Sequence, residues 1–293
     1  MAKQLLIYGK VETVSAKKHS DLSVKAGEDY EFARGINSVP IMAAEFPNVS
    51  LDCAIVFAGT EELVMPVMLM GFREGENLYL DKTGSWMASY VPAFFRRYPF
   101  VFSSTDDGET FTLCIDEDFP GCNTKGRGER LFNAEGEQTQ YTKNVLEFLK
   151  EYQVSYQRTE AFSKRLQEMD LLEPMTAQFT TGDGFTGNLT GFKTVNRDKI
   201  KSLNGEQLAK LAATDELELI YIHIHSLMNF TGMMKKLEST NRVESEEIPA
   251  KVKPVKAREV ATKPKTISKK SKTKATKTST TKTANKKTSA KKK

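Results

Sequence analysis

The sequence contains none of the short motifs that identify common catalytic and nucleotide-binding sites. No Gly-x-Ser-x-Gly, Walker loop, dinucleotide fingerprint or His-Glu-x-x-His occurs in its 293 residues. Each of these motifs holds a nucleophile, a phosphate group or a metal in a defined local structure. The sequence therefore offers no catalytic residue and no cofactor site, and it favours a non-catalytic protein over an enzyme.

Long apolar segments are also absent. No window approaches the roughly 18 consecutive apolar residues that a membrane-spanning helix requires. The first apolar run, Leu5–Tyr8, is shorter than the core of a secretion signal. We therefore expect the protein to be made and to reside in the cytoplasm.

Residues with metal-binding or redox chemistry are scarce. The chain has three cysteines, Cys53, Cys114 and Cys122. Their spacing suits neither a zinc cluster nor a disulfide framework, so we expect reduced, buried thiols. A disulfide between Cys114 and Cys122 is the less favoured alternative. His223 and His225 lack an identifiable third ligand and are interpreted as buried or capping residues. The acidic run 116–118 lacks the spacing of a calcium loop and is interpreted as a solvated turn, so no metal site is predicted.

Aromatic residues are absent after Phe230, and charge is distributed unevenly along the chain. Residues 251–293 hold 17 basic residues against one acid, a net charge of +16, whereas residues 1–250 hold 26 basic and 37 acidic residues, a net charge of −11. A Lys-rich segment of low complexity cannot bury enough apolar surface to offset its chain entropy. We therefore expect residues 238–293 to form a disordered linker and basic tail.

The basic tail has a composition like that of linker-histone tails. Such a segment is expected to contact nucleic acid or another polyanion by counterion release, without reading sequence. Equally open alternatives are a solubilising extension and an attraction to the acidic remainder of the chain. The candidate polyanion contacts are Lys263, Lys265, Lys269, Lys270, Lys272, Lys274 and Lys277.

Aromatic side chains are concentrated between Gly71 and Phe102, a stretch that also holds adjacent arginines and the only tryptophan. Arginine lying on aromatic faces can hold a carboxylate, and an indole can stack on a sugar. A core role is nevertheless favoured, since aromatic residues at helical spacing mostly pack inward. The candidate ligand-binding residues are Asn77, Asp81, Trp86, Tyr90, Arg96 and Arg97.

The periodicity predicts a single α+β domain at residues 1–237, with short antiparallel strands followed by a helical part. An antiparallel meander is expected from the runs 54–58, 64–69 and 77–80. Pro66 would place the second run at an edge or a bulge, because proline donates no backbone hydrogen bond.

The later part of the chain alternates between hairpin and helix patterns. Hairpins are expected across 100–115 and 175–195, and one or two helices across 138–172. Asparagine and aspartate favour helix N-caps. Short helices are therefore predicted after Asn196 and Asn204, and a longer one from Glu216, after Asp215, to about Leu237.

Several segments of the chain resemble the bacterial SapC family, which is named for a protein encoded with a paracrystalline surface layer. The most specific segment is Tyr-Val-Pro-Ala-Phe-Phe-Arg-Arg-Tyr-Pro-Phe at residues 90–100. Asn-Leu-Tyr-Leu-Asp at 77–81 and Gly-Ser-Trp at 84–86 precede it, and Asn-Ser-Val-Pro-Ile lies at 37–41. The similarity covers roughly residues 1–237. The family name implies an association with surface layers. The resemblance implies no catalytic residue.

Three functional hypotheses follow. The first is a SapC-like, non-catalytic binding or structural protein linked to envelope or surface-layer material. Its partner would be an unknown protein or envelope component. The cell surface therefore stays an alternative to the cytoplasm as its location. The second is an accessory enzyme or small-ligand sensor with a pocket around Asn77–Arg97. The third is a nucleic-acid-associated protein that acts through its tail.

Overall fold

The apolar runs around Val56 and Val67 form the centre of the largest sheet. The structure is a computed structural model that describes residues 7–27, 29–104, 110–180, 182, 184 and 186–247. Val56 pairs with Val67, and all neighbouring strands in this sheet are antiparallel. The strands in sheet order are β10 (Leu172–Thr180), β11 (Thr186–Val195), β4 (Ile55–Gly59), β5 (Val64–Leu69) and β3 (Ser38–Pro40).

Two smaller sheets complete the strands of the described residues. The first contains the predicted hairpin of β6 and β7, and its strands in order are β1 (Val11–Thr13), β7 (Phe111–Asp116) and β6 (Phe100–Ser104). The second consists of two-residue strands, in the order β8 (Cys122–Asn123), β2 (Ser23–Val24) and β9 (Glu129–Arg130).

Helix α4 (Gln140–Glu168) is one long helix that contributes to three core clusters. Its first half contributes Leu149 to the cluster around Ile115 of β7. Its second half contributes Phe162, whose ring lies 6.2 Å from that of Phe46 and 6.3 Å from that of Phe57. The other helices are α1 (Ala16–His19), α2 (Phe46–Val49), α3 (Ala93–Arg96), α5 (Arg197–Lys201), α6 (Gly205–Ala213), α7 (Glu216–Ser226) and α8 (Asn229–Glu247).

The predicted fold class is confirmed, because a single α+β domain combines these helices with antiparallel sheets. The domain boundary at 237 stays a prediction, and α8 continues past it to Glu247. Of the segment 238–293, predicted to be a disordered linker and tail, residues 238–247 lie in α8 and the remainder lies outside the described residues. In the part of the chain that the structure covers, every helix is too short or too polar to cross a bilayer.

The meander prediction is wrong for residues 77–80, because β3 and not this run lies beside β5. The Asn77 side chain accepts a hydrogen bond from Tyr79 N (2.9 Å), which favours a local turn over a strand. Pro66 also lies in an inner strand rather than at an edge. It is tolerated because β3 pairs only with Val67–Leu69, and Ile41 N donates to the Pro66 carbonyl just beyond the end of β3.

The predicted helix from 216 to 237 is interrupted between α7 and α8. The Asn229 side chain lies at the break and donates to the carbonyls of Ser50 (2.7 Å) and Cys53 (3.0 Å). Asp215, predicted as an N-cap, has a left-handed backbone (φ 58°) and makes no side-chain cap. Long-range hydrogen bonds therefore override the continuous helical periodicity here.

A fully buried histidine attaches α7 to the main sheet. His223 Nδ1 donates to the Ile55 carbonyl (3.0 Å), and its Nε2 accepts from Val195 N (3.1 Å). Ser226 Oγ accepts from Ile55 N (3.0 Å), so the same turn of helix satisfies both polar groups of Ile55. Burial lowers the pKa of His223 to about 4, which keeps the ring neutral near neutral pH.

We expect the free energy of unfolding to decrease as pH falls from 6.5 to about 4, because the unfolded chain takes up a proton that folded His223 does not accept. The full decrease is on the order of 3 kcal/mol. His223→Gln keeps a donor and an acceptor but does not titrate, so urea unfolding at a series of pH values should show a shallower slope. His225→Gln, at an exposed position two residues away, should keep the wild-type slope. An undiminished slope in His223→Gln would contradict this role.

Candidate functional site

The only tryptophan belongs to an aromatic cluster. The half-buried Trp86 ring lies 5.6 Å from Phe95, 5.9 Å from Tyr30 and 6.3 Å from Tyr79. Its Nε1 donates to the Tyr90 carbonyl (2.9 Å), which uses its single hydrogen-bond donor. These contacts favour the packing role for Trp86.

Asn77 and Asp81 are likewise used in local structure. The buried Asn77 amide donates to the Ala33 carbonyl (3.0 Å) and accepts from Tyr79. Asp81 Oδ1 accepts from Thr83 N, Thr83 Oγ1 and Ser85 N, and the pKa of its carboxyl is lowered chiefly by the Thr83 hydroxyl. Both residues shape the turns before Trp86, and neither reaches the cavities beside α4 described below.

The two adjacent arginines at the C-terminal end of α3 differ in exposure. Arg97 is only 4 % exposed, and its guanidinium carbon lies 4.5 Å from the Phe94 ring centroid and 4.7 Å from that of Tyr152. Desolvated cation–π contacts of this kind stabilise by about 2 kcal/mol. Arg96 is exposed, because successive helical residues are about 100° apart.

Arg96 is held in place by neutral groups. Its Nε donates to the Val91 carbonyl (3.1 Å) and its Nη2 to the Tyr90 hydroxyl (2.8 Å). The guanidinium carbon lies 5.4 Å from the ring centroids of both Tyr90 and Phe148. Among the described residues, no carboxylate forms an ion pair with it. Its charge is therefore available to an anion from outside.

A buried carboxylate, absent from the sequence predictions, fixes this arrangement. Glu45 is 5 % exposed, and its Oε2 accepts from Met42 N (2.7 Å). Its Oε1 accepts from Ala93 N (2.7 Å) and from the Tyr90 hydroxyl (2.9 Å). Burial and the Glu45 charge raise the pKa of Tyr90 to about 12, so the phenol keeps its proton, donates to Glu45 and accepts from Arg96.

Two cavities lie end to end along α4 and share Arg96 and Phe148. The first, here the Arg97 cavity, has a volume of about 330 Å³ and is lined by Arg97, Tyr98, Phe100, Tyr141 and Asn144, among others. The second, the Glu45 cavity, has a volume of about 280 Å³ and is lined by Met42, Glu45, Tyr90, Glu151, Tyr152 and Ser155, among others. The structure thus brings Tyr90, Arg96 and Arg97 of the predicted site together with residues of α4 that the sequence did not single out.

A further cavity, of about 450 Å³, is lined by Cys122, His19 and Glu117, the residue types of a cysteine nucleophile with its base. The geometry does not support that chemistry. His19 Nδ1 accepts from Ser15 N (3.1 Å) and Nε2 lies 3.2 Å from Glu117, so neither nitrogen is free to accept a thiol proton. Burial raises the pKa of Cys122 to about 11, which keeps the thiol protonated.

The acidic run 116–118 forms the predicted solvated turn only in part, because residues 117 and 118 lie in a turn whereas Asp116 ends β7 in a buried position. Asp116 is 1 % exposed and accepts from Gly9 N (2.8 Å) and Lys10 N (2.9 Å). Glu117 pairs with Lys10 and Lys18, both at 2.6 Å, and the Lys10 ammonium foremost lowers its pKa to about 2. Within the described residues, no three His, Cys, Asp or Glu side chains are grouped closely enough to hold a metal ion.

The fold and the cavities define an α+β domain with a groove between α3 and α4. A protein-family model described as SapC matches residues 14–233, which is more than half of the chain. The chain therefore belongs to the SapC family. No curated protein and no solved structure gives a significant match.

Proposed function

We propose that this SapC family member is a non-catalytic binding protein that holds a carboxylate-bearing ligand with a flat or apolar body. The observation that carries the proposal is Arg96. It is an exposed cation held by two neutral oxygens and flanked by the rings of Tyr90 and Phe148. Arginine in such a setting can form charge-assisted hydrogen bonds to a carboxylate while the aromatic walls contact the rest of the ligand.

The family name suggests where such a ligand would be found. Envelope or surface-layer material is the proposed source, in keeping with the resemblance described above. Fractionating cells that express a tagged chain tests this link. The tag should appear with the envelope or surface-layer fraction, and recovery of the tag only with cytoplasmic markers would argue against an envelope role.

Arg96→Gln should weaken binding of benzoate roughly tenfold or more, because a hydrogen bond to a charged group is lost. Benzamide, which has the same ring and no charge, should bind weakly to both proteins. Chemical-shift titration measures the affinities, and thermal unfolding checks that the variant is folded. Unfolding should change little, since Arg96 is exposed.

Arg158→Gln is the matched control, since Arg158 is an exposed arginine of α4 that lines neither cavity. It should bind benzoate as the wild type does. Equal affinity of the wild type for benzoate and benzamide, or an unchanged affinity in folded Arg96→Gln, would refute the carboxylate site.

The charge of +16 on residues 251–293 supports a second candidate function, the binding of nucleic acid or another polyanion. The lysines predicted to make the contacts are Lys263, Lys265, Lys269, Lys270, Lys272, Lys274 and Lys277. This function is independent of the α4 groove, because it depends on charge density alone.

Deleting residues 251–293 should abolish retention on DNA–cellulose at low salt, because it removes the cationic segment. Retention of the full chain should fall steeply as salt is raised from 50 to about 200 mM. Full-length protein that flows through at 50 mM salt, or a deletion that is retained equally well, would rule out the polyanion role.

A further inference from the structure

The two cavities beside α4 form one groove with opposite charges at its ends. Five of the α4 residues that line it follow a single helical stripe, namely Tyr141, Asn144, Phe148, Glu151 and Ser155. This stripe covers fifteen residues, and its fourteen steps of 1.5 Å give a length of about 21 Å. The groove is therefore longer than a single small carboxylate requires.

The Arg97 cavity is the cationic end. The nine-tenths buried Arg97 lines it, and the exposed Arg96 lies at its border with the other cavity. Asn144 adds a side-chain amide, and Tyr98 and Tyr141 add phenol rings. Charged and amide donors in one cavity match a carboxylate, which only accepts hydrogen bonds.

The Glu45 cavity is the acidic end. The buried Glu45 carboxylate lines it and accepts only from neutral donors, namely two backbone N–H groups and the Tyr90 hydroxyl. Glu151 lines the exposed side and, among the described residues, forms no ion pair. An ammonium group, which only donates, is the complementary ligand group.

The separation of the two ends suits a short peptide. Asn144 and Glu151 are seven residues apart on α4, which corresponds to about 10 Å along the helix. Three residues of extended polypeptide span about the same length, at 3.3 to 3.6 Å each. A tripeptide with free termini would place its carboxylate near Asn144 and its ammonium near Glu151.

We infer that the α4 groove binds a short, extended peptide segment that carries a carboxylate at one end and an ammonium about 10 Å away. This inference rests on the proposed carboxylate site and names its ligand class. The aromatic wall at Phe148 lies between the two charged ends and would contact the central side chain.

The test uses the full chain and three forms of the tripeptide Ala-Phe-Ala. One form has free termini, one is N-acetylated and one is C-amidated. The free tripeptide should bind roughly tenfold or more tightly than either blocked form, because each block removes one charge-assisted contact. Glu151→Gln should lower the preference for the free amine over the acetylated form and leave the preference for the free carboxylate intact. Glu160→Gln, at an exposed position of α4 outside both cavities, should change neither preference.

The outcomes separate this inference from the carboxylate site. Arg96-dependent benzoate binding together with equal affinity for free and acetylated tripeptide would overturn the peptide inference and leave the carboxylate site standing. Tighter binding of glucuronate than of the free tripeptide would also overturn it, in favour of an acidic saccharide. Benzoate binding that does not depend on Arg96 would contradict both the carboxylate site and the peptide inference.

Discussion

The buried carboxylate of Glu45 is the interaction on which the candidate site depends. It joins two segments that are distant in sequence. It accepts a hydrogen bond from Met42 N in one segment and from Ala93 N and the Tyr90 hydroxyl in the other. Directly beside it, Ala43 N donates to Thr159 Oγ1 of α4 (2.9 Å). The start of α3, the turn before α2 and one face of α4 are therefore held together around one anion. A buried charge is tolerated there because both of its oxygens accept hydrogen bonds from good donors.

The position of Arg96 follows from this junction. Glu45 orients the Tyr90 hydroxyl, and that hydroxyl accepts a hydrogen bond from Arg96. The next residue, Arg97, faces inward and packs against the rings of Phe94 and Tyr152. The end of α3 and the residue after it thus supply one exposed and one buried cation. Both line the Arg97 cavity, so the packing of the core and the polarity of the groove have a common origin.

The sequence predicts those parts of the fold that depend on local patterns. Turn residues and periodicity are sufficient for the β6–β7 and β10–β11 hairpins and for α4, because their contacts lie close in sequence. Glu45 could not be found in this way, since it is one of 38 acidic residues and its partners Tyr90 and Ala93 lie 45 and 48 residues away. The aromatic stretch includes Arg96, which lines both cavities, whereas Asn77, Asp81 and Trp86 are engaged in turns and packing. Which aromatic residues face a cavity depends on tertiary contacts that spacing alone does not specify.

The most direct test of this account is the free energy of unfolding of Glu45→Gln, measured by urea denaturation. A glutamine oxygen can keep the two bonds that Oε1 makes, but its amide group then faces Met42 N, so two donors meet in a buried site. The account predicts a loss of about 1 to 3 kcal/mol. A variant as stable as the wild type, with Arg96 still able to bind benzoate, would contradict the central role of Glu45.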